Sequence, residues 1–379
     1  MLEKSVLTDK NLKKELMKRY GFKKIGEISK ILKGNANIFK IKCDGEYYVL
    51  KEYQSSYKLK DIINEERVTN LLKENWIPTV EIILCLNSDY AWEYNERICV
   101  LQKFIDGVVM SPFSGSYKAM MESGYYLSKI NLALQKIKLD KEDNISDWLT
   151  PKSFLKTEQN YDKIIEECDK YEMDSIFKKI KGDILIKKNL LKEFAKNKTI
   201  IRSLAGVTHM NSHGDYSVMQ FIYENDKSKI KAILDLSAAA KLPVVWEVIR
   251  SYSYIDPKCK EGEIDIKNLV DYVIEYMKTI KLSKTDLSMM PYVYLIQLLK
   301  SSYGYSQYVL YFSENKEQLI EFAFWRTKMC QWLAANAEKL SKELEEKTGE
   351  SVLTKENFLD VPKKLKKKRN KLIEQVNIL

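Results

Sequence analysis

Two aspartates, Asp215 and Asp235, and the glutamine between them, Gln220, are the residues of this chain best suited to chemistry. They lie in the stretch 205–237, which also holds the chain's two histidines, His209 and His213. Phe221-Ile222-Tyr223 and Ile230 to Leu234 read as short strands, and Glu224-Asn225-Asp226-Lys227 suits the turn between them. Asp215 then falls on a loop before one strand, and Asp235 at the end of the next. A carboxylate on a rigid loop can take a proton from a hydroxyl. A second can hold Mg2+ against nucleotide phosphates, and an amide oxygen between them can add a metal ligand. The chemistry this predicts is phosphoryl transfer. Either aspartate alone reads more simply as a turn cap or a strand end. Their joint spacing, with His213 and Gly214 directly before Asp215, favours the chemical reading.

Such a site needs elements to position it. Ile38 to Lys42 and Tyr47 to Lys51 are β-rich runs around Asp44-Gly45, a hairpin signal. Asp61 to Asn75 has apolar residues at helical spacing and stops before Pro78. Val80 to Leu84 and Arg97 to Leu101 are further strands. Beyond residue 110 the pattern turns helical. Met120, Leu127, Ile130, Leu134 and Ile137 form one stripe, and 153–203 is charged and helix-like. From about 314 to 345, Leu319, Phe322, Met329, Trp332, Leu333 and Leu340 share an apolar face. A small β-rich part followed by a larger helical part is an α+β arrangement.

Length and composition agree with this. The 379 residues suit two lobes, and 45% hydrophobic against 31% charged residues is a globular balance. No uncharged run reaches the ~20 residues that span a bilayer, and the N-terminus lacks the apolar core of a signal peptide, so a soluble cytoplasmic protein is expected. The six cysteines form no CxxC pair, which argues against zinc and a disulfide framework. The net charge of +10 is concentrated in the last 17 residues, with seven Lys or Arg against Glu374. That tail reads as a solvated helix end, and nucleic acid is not an expected partner.

His213-Gly214-Asp215 with Gln220 resembles the HGDxxxxN catalytic loop of the aminoglycoside phosphotransferase and choline-kinase-like family. Ile233-Leu234-Asp235-Leu236 resembles its metal-binding segment, and Pro243 with Trp246-Glu247 is similar to the continuation. The resemblance covers 25–340 and implies a two-lobed protein-kinase-like fold: a nucleotide-binding lobe over 1–103, a helical lobe with the acceptor site over 104–360, and a basic tail over 361–379. It implies Asp215 as catalytic base and Asp235 with Gln220 as Mg2+ ligands. Lys51 would hold the phosphates, set by a helical glutamate. Glu65 is preferred to Glu66 because Val68 and Leu72 follow it on the buried face, whereas Thr69 and Lys73 give Glu66 a wetter one. Leu101 to Gly107 is similar to the hinge, with the backbone of Gln102 to Phe104 holding the base. Lys33 to Asn37, with Gly34 and Asn37, would cover the phosphates.

The family's metal-binding asparagine is Gln220 here, one methylene or about 1.5 Å longer. A misplacement of ~1 Å can cost ~10²-fold in rate. Asn131 stands where relatives often have histidine. The expected function is Mg2+-dependent transfer of the γ-phosphate of ATP or GTP to a small-molecule hydroxyl. The APE tripeptide of protein kinases is absent. The alternative is a non-catalytic kinase-like protein resembling spore-coat components, supported by Gln220. Glu166, Glu167, Asp169, Glu172 and Asp174 could suit a cationic acceptor, but read first as a solvated helix face.

Overall fold

The computed structural model describes residues 3–31, 36–311 and 315–356. Gly34 and the basic tail 361–379 lie outside them. The N-terminal lobe is a six-stranded antiparallel sheet of β1 (Ile25–Ile31), β2 (Asn37–Cys43), β3 (Glu46–Glu52), β4 (Ile82–Ile83), β5 (Ala91–Tyr94) and β6 (Arg97–Lys103). Its order is β1-β2-β3-β6-β4, with β5 also paired to β6. The β2–β3 hairpin turns at Asp44 (φ 48°) and Gly45 (φ 93°), the two left-handed residues that a tight hairpin requires. Alternation along β2 buries Phe39, Ile41 and Cys43 against Leu50 and Leu101.

Three elements of this lobe lack a clear sequence signal. The helix Asp9–Tyr20 is mostly lysine-studded surface and buries little beyond Leu12 and Leu16. In β1, partly buried residues recur every third position instead of alternating. β5 has four residues. On the other face of the sheet, the helix Leu59–Glu74 packs near β5, the helix Tyr117–Leu134 and the turn 236–238.

The C-terminal lobe is helical. The charged stretch resolves into Pro151–Asp169, Ser175–Lys196 and Lys198–Leu204. The apolar helix Val244–Ile255 packs on Lys284–Lys300, which packs on Lys316–Glu356. Strands return as expected around residue 220. β8 (Phe221–Tyr223) pairs with β9 (Ile230–Ile233), and β7 (His209–Ser212) pairs with β10 (Ala240–Pro243).

The β8–β9 hairpin is fastened to the N-terminal lobe and its connection. Val108 and Tyr223 exchange both backbone hydrogen bonds, at 3.0 and 2.8 Å. Ile233 N donates to Pro78 O at 2.9 Å. A Cβ on Gly107 would stand 2.3 Å from Tyr223 O, so only glycine permits that approach. All six cysteines are buried thiols. Among the described residues no helix is long and apolar enough to cross a membrane.

Candidate active site

Alternation in β3 buries Leu50 and Glu52 on one face and sends Lys51 to the other, toward the helix Leu59–Glu74. Lys51 Nζ lies 3.5 Å from Glu65 Oε1. The second oxygen of Glu65 accepts from Tyr53 Oη at 2.9 Å. Burial pushes the Tyr53 phenol well above its ordinary pKa, and the charges of Glu65 and Asp235 add to the rise. The glutamate beside Lys51 is therefore Glu65, and the wet face expected for Glu66 is not found. Glu66 is 2% exposed, and neither of its carboxylate oxygens has a partner. The helix is covered on more than one side, so Thr69 next to it is buried as well.

β7 leads into His213-Gly214-Asp215. Gly214 has φ +84°, and a Cβ there would stand 1.9 Å from Ala238 O. His213 is fully buried; its Nε2 lies 2.9 Å from Leu234 O, and its Nδ1 accepts the Asp215 N–H at 3.3 Å. Those partners require a neutral ring with its proton on Nε2, so His213 braces the loop. The other histidine is also structural. His209 Nε2 accepts from Ile145 N at 3.1 Å, and burial lowers its pKa.

Asp215 Oδ2 accepts from Gln220 Nε2 at 3.0 Å, and Oδ1 is paired with Arg250 Nη2 at 2.5 Å. The Asp215 side chain is 40% exposed and that of Arg250 10%. Arg250 Nη1 also donates to Tyr216 O at 3.2 Å. Burial works against its charge, but Tyr254, Asp215 and Glu247 outweigh it and raise its pKa. Buried Glu247 takes the Tyr216 N–H at 2.9 Å and the Ser212 hydroxyl, bracing the loop from below. Asn131 donates to Asn211 O at 2.9 Å and Ser212 Oγ at 2.7 Å, a supporting role behind the same strand. Arg250 was not among the expected site residues. Its signal is the lone basic residue of a largely apolar helix, one turn after Glu247.

Asp235, two residues past β9, is left-handed, φ 57° and ψ 66°, with Oδ1 accepting from Ser237 Oγ at 2.7 Å. Leu234 N donates to Gln220 O at 2.8 Å, fastening this segment to the Asp215 loop. The turn after Asp235 meets Gly214 on one side and the Glu65-bearing helix on the other. Glu65, Leu236 and Ser237 line one pocket there. Lys51 and Asp235 both act electrostatically on Tyr57. Lys51, Glu65, Asp215, Gln220 and Asp235 are thus linked through one set of contacts.

Among the described residues no group of three or more His, Cys, Asp or Glu could hold a metal. Asp235 and Gln220 could hold one together with nucleotide phosphates, which is how Mg2+ is commonly bound. Gln220 turns its amide nitrogen to Asp215, so its carbonyl oxygen is the end left for a cation.

Two expectations need correction in detail. Gln102 sits inside the ladder, paired with both Val49 and Ile82, and its neighbours' N–H groups are taken: Lys103 N by Glu81 O at 2.8 Å, Phe104 N by Tyr47 O at 3.0 Å. Because β6 has neighbours on both edges, the first N–H past the ladder is that of Ile105. Asn37 opens β2 and donates its side-chain amide to Glu3 O at 3.0 Å, which ties down the N-terminal segment. The acidic stretch is largely used locally: Glu167 pairs with Lys170 at 2.6 Å, Asp169 with Lys181, and Asp174 caps Ser175–Lys196.

No family model and no curated protein matches the sequence. Many solved structures match the fold. A spectinomycin phosphotransferase, in complex with ADP and spectinomycin, aligns with TM-score 0.58 at 16% identity over 88% of this chain and 100% of its own. An amicoumacin kinase, in complex with AMP-PNP and Ca2+, aligns with TM-score 0.59 at 10% identity over 88% and 94%. An aminoglycoside phosphotransferase from Alicyclobacillus acidocaldarius gives 0.60 at 11% over 90% and 98%.

Proposed function

We propose that this chain, which has the two-lobed protein-kinase-like fold of the aminoglycoside phosphotransferase and choline-kinase-like enzymes, moves the γ-phosphate of ATP or GTP to a hydroxyl of a small molecule. The observation that carries the reading is the joining of Lys51–Glu65, Asp215–Gln220 and Asp235 around the turn 236–238.

Asp215 accepts the proton of the acceptor hydroxyl. Arg250 pairs with its carboxylate, and Gln220 fixes its orientation. Lys51, set by Glu65, holds the nucleotide phosphates. The connection past the ladder, beginning at Ile105, holds the base. Asp235 and the Gln220 carbonyl would hold Mg2+, which when bound neutralises phosphate charge. The lobes divide near 103–104, where β6 ends.

Similarity to kinases of spectinomycin and amicoumacin supports a small-molecule acceptor. No observation favours the non-catalytic alternative. The test is acceptor-dependent consumption of ATP and GTP across aminoglycosides, choline, amino alcohols, sugars and hydroxy acids. Release of ADP or GDP with one acceptor class is the expected result. Tight Mg-nucleotide binding without turnover on any class would overturn it.

A further inference from the structure

Behind Asp215 lies a second guanidinium that the reaction described above does not use. Arg250 packs its guanidinium 4.8 Å from the ring centre of Tyr254, and Tyr254 Oη lies 3.4 Å from Arg326 Nη2. Arg326 Nη1 donates to Ser301 Oγ at 2.9 Å, and its Nε is buried without a partner. Its partners among the described residues are therefore neutral, in contrast to Arg250, which has Asp215. A partly buried guanidinium with no carboxylate is costly unless something anionic completes it. Its charge is felt nearby. Burial raises the Tyr254 phenol, yet Arg326 and Arg250 together pull its pKa below the ordinary value.

Aromatic rings flank Arg326. Arg326 lies 5.0 Å over the ring of Phe322, which stacks on Trp325 at 5.2 Å, and Phe113 meets Trp325 at 5.0 Å. Arg326, Phe113 and Phe322 are all partly exposed. The Trp246 indole, next to Arg250, has a buried N–H with no partner. Both arginines and the Trp246 N–H are donors, and the carboxylate placed with them is that of Asp215, held by Arg250.

We propose that Arg326 is the anion-binding end of the acceptor site, and that the acceptor hydroxyl belongs to a small molecule carrying a carboxylate or phosphate. This rests on the phosphotransfer reading and narrows its substrate class. A planar guanidinium suits either oxyanion. The same charge acts against a polycationic acceptor. The acidic stretch around Glu167 and Asp169, already paired with lysines, offers little compensation.

The test is thermal stabilisation of the full chain at constant ionic strength by malate, glycerol 3-phosphate or ethanolamine. It is run on the wild type, Lys51→Ala, Arg326→Gln and Arg326→Lys. At least one of the two anions should stabilise the wild type and Lys51→Ala, and the two arms separate carboxylate from phosphate recognition. Its affinity should fall at least about tenfold in Arg326→Gln and recover in part in Arg326→Lys. The proposal is overturned if ethanolamine stabilises more than either anion or if no anion binds. It is also overturned if anion binding is lost in Lys51→Ala and kept in Arg326→Gln, since the anion then sits with the nucleotide phosphates. Should Arg326→Gln fail to fold, the wild-type ranking and Lys51→Ala still decide. Mg-ATP binding indifferent to Lys51→Ala would instead defeat the nucleotide reading.

Discussion

Glu65 divides its carboxylate between two residues of one strand and its exit: Oε1 faces Lys51 Nζ at 3.5 Å, and Oε2 takes the Tyr53 hydroxyl at 2.9 Å. The lysine is thus aimed by a group that is itself held. Glu65→Gln should weaken Mg-ATP binding about tenfold, because a neutral amide no longer orients the ammonium. Tyr53→Phe should cost less, about 1 kcal/mol of stability for one hydrogen bond. Calorimetric titration and thermal unfolding check the pair. Equal binding in wild type and Glu65→Gln would show that the contact has no part in nucleotide recognition.

Gly214 combines a left-handed backbone with an approach to Ala238 O that leaves no room for a methyl group. Gly214→Ala should destabilise by at least about 2 kcal/mol and lower turnover at least ~10²-fold, since Asp215 is displaced relative to Asp235. A variant with wild-type melting behaviour would contradict the close approach.

Glu66 should make stability depend on pH. Burial first, and Glu65 second, push its carboxyl up to about 8 from an ordinary 4.5. Between those values the unfolded chain has lost the proton and the folded protein keeps it. Its contribution is therefore complete below about 4.5 and declines as pH rises toward 8. Glu66→Gln does not titrate, so it should match the wild type near pH 4.5 and exceed it by about 4 kcal/mol near pH 8. Denaturant unfolding at both pH values measures this. A gain that is the same at both would contradict it.

Gln220 holds Asp215 through its nitrogen. Gln220→Asn should preserve or raise turnover if the longer side chain is a strained metal ligand. Gln220→Leu, which removes both amide functions, should lower it at least about tenfold. Steady-state rates across Mg2+ concentrations separate the two, and an unaffected Gln220→Leu would remove Gln220 from the site.

The sequence makes some of this architecture legible because local chemistry leaves few choices. Asp44-Gly45 forces a hairpin, and that hairpin sets Lys51 opposite its partner face. Gly214 and Asp235 take left-handed conformations at the two ends of the motif that the spacing singles out. What is not legible depends on tertiary cover. Glu66 looks wet by its helical neighbours but is enclosed by elements distant in sequence. Arg250 gains meaning only once the helix Val244–Ile255 lies beneath Asp215. The donors of Lys103 and Phe104 are occupied because β6 acquires neighbours on both edges, which no local pattern announces. The four-residue pair β7 and β10 is too short for periodicity to register.

The central claim is that Lys51, Asp215 and Asp235 meet around one nucleotide, with distinct tasks. Its most direct test is Mg-ATP stabilisation measured alongside acceptor-dependent ADP release in Lys51→Ala, Asp235→Asn and Asp215→Asn. Saturating nucleotide at ~100 times Kd should add about 2.7 kcal/mol to the wild type. Lys51→Ala and Asp235→Asn should lose most of that, whereas Asp215→Asn should keep it while its release rate falls at least ~10²-fold. Full stabilisation in both of the first two variants, or an unchanged rate in the third, would contradict the account.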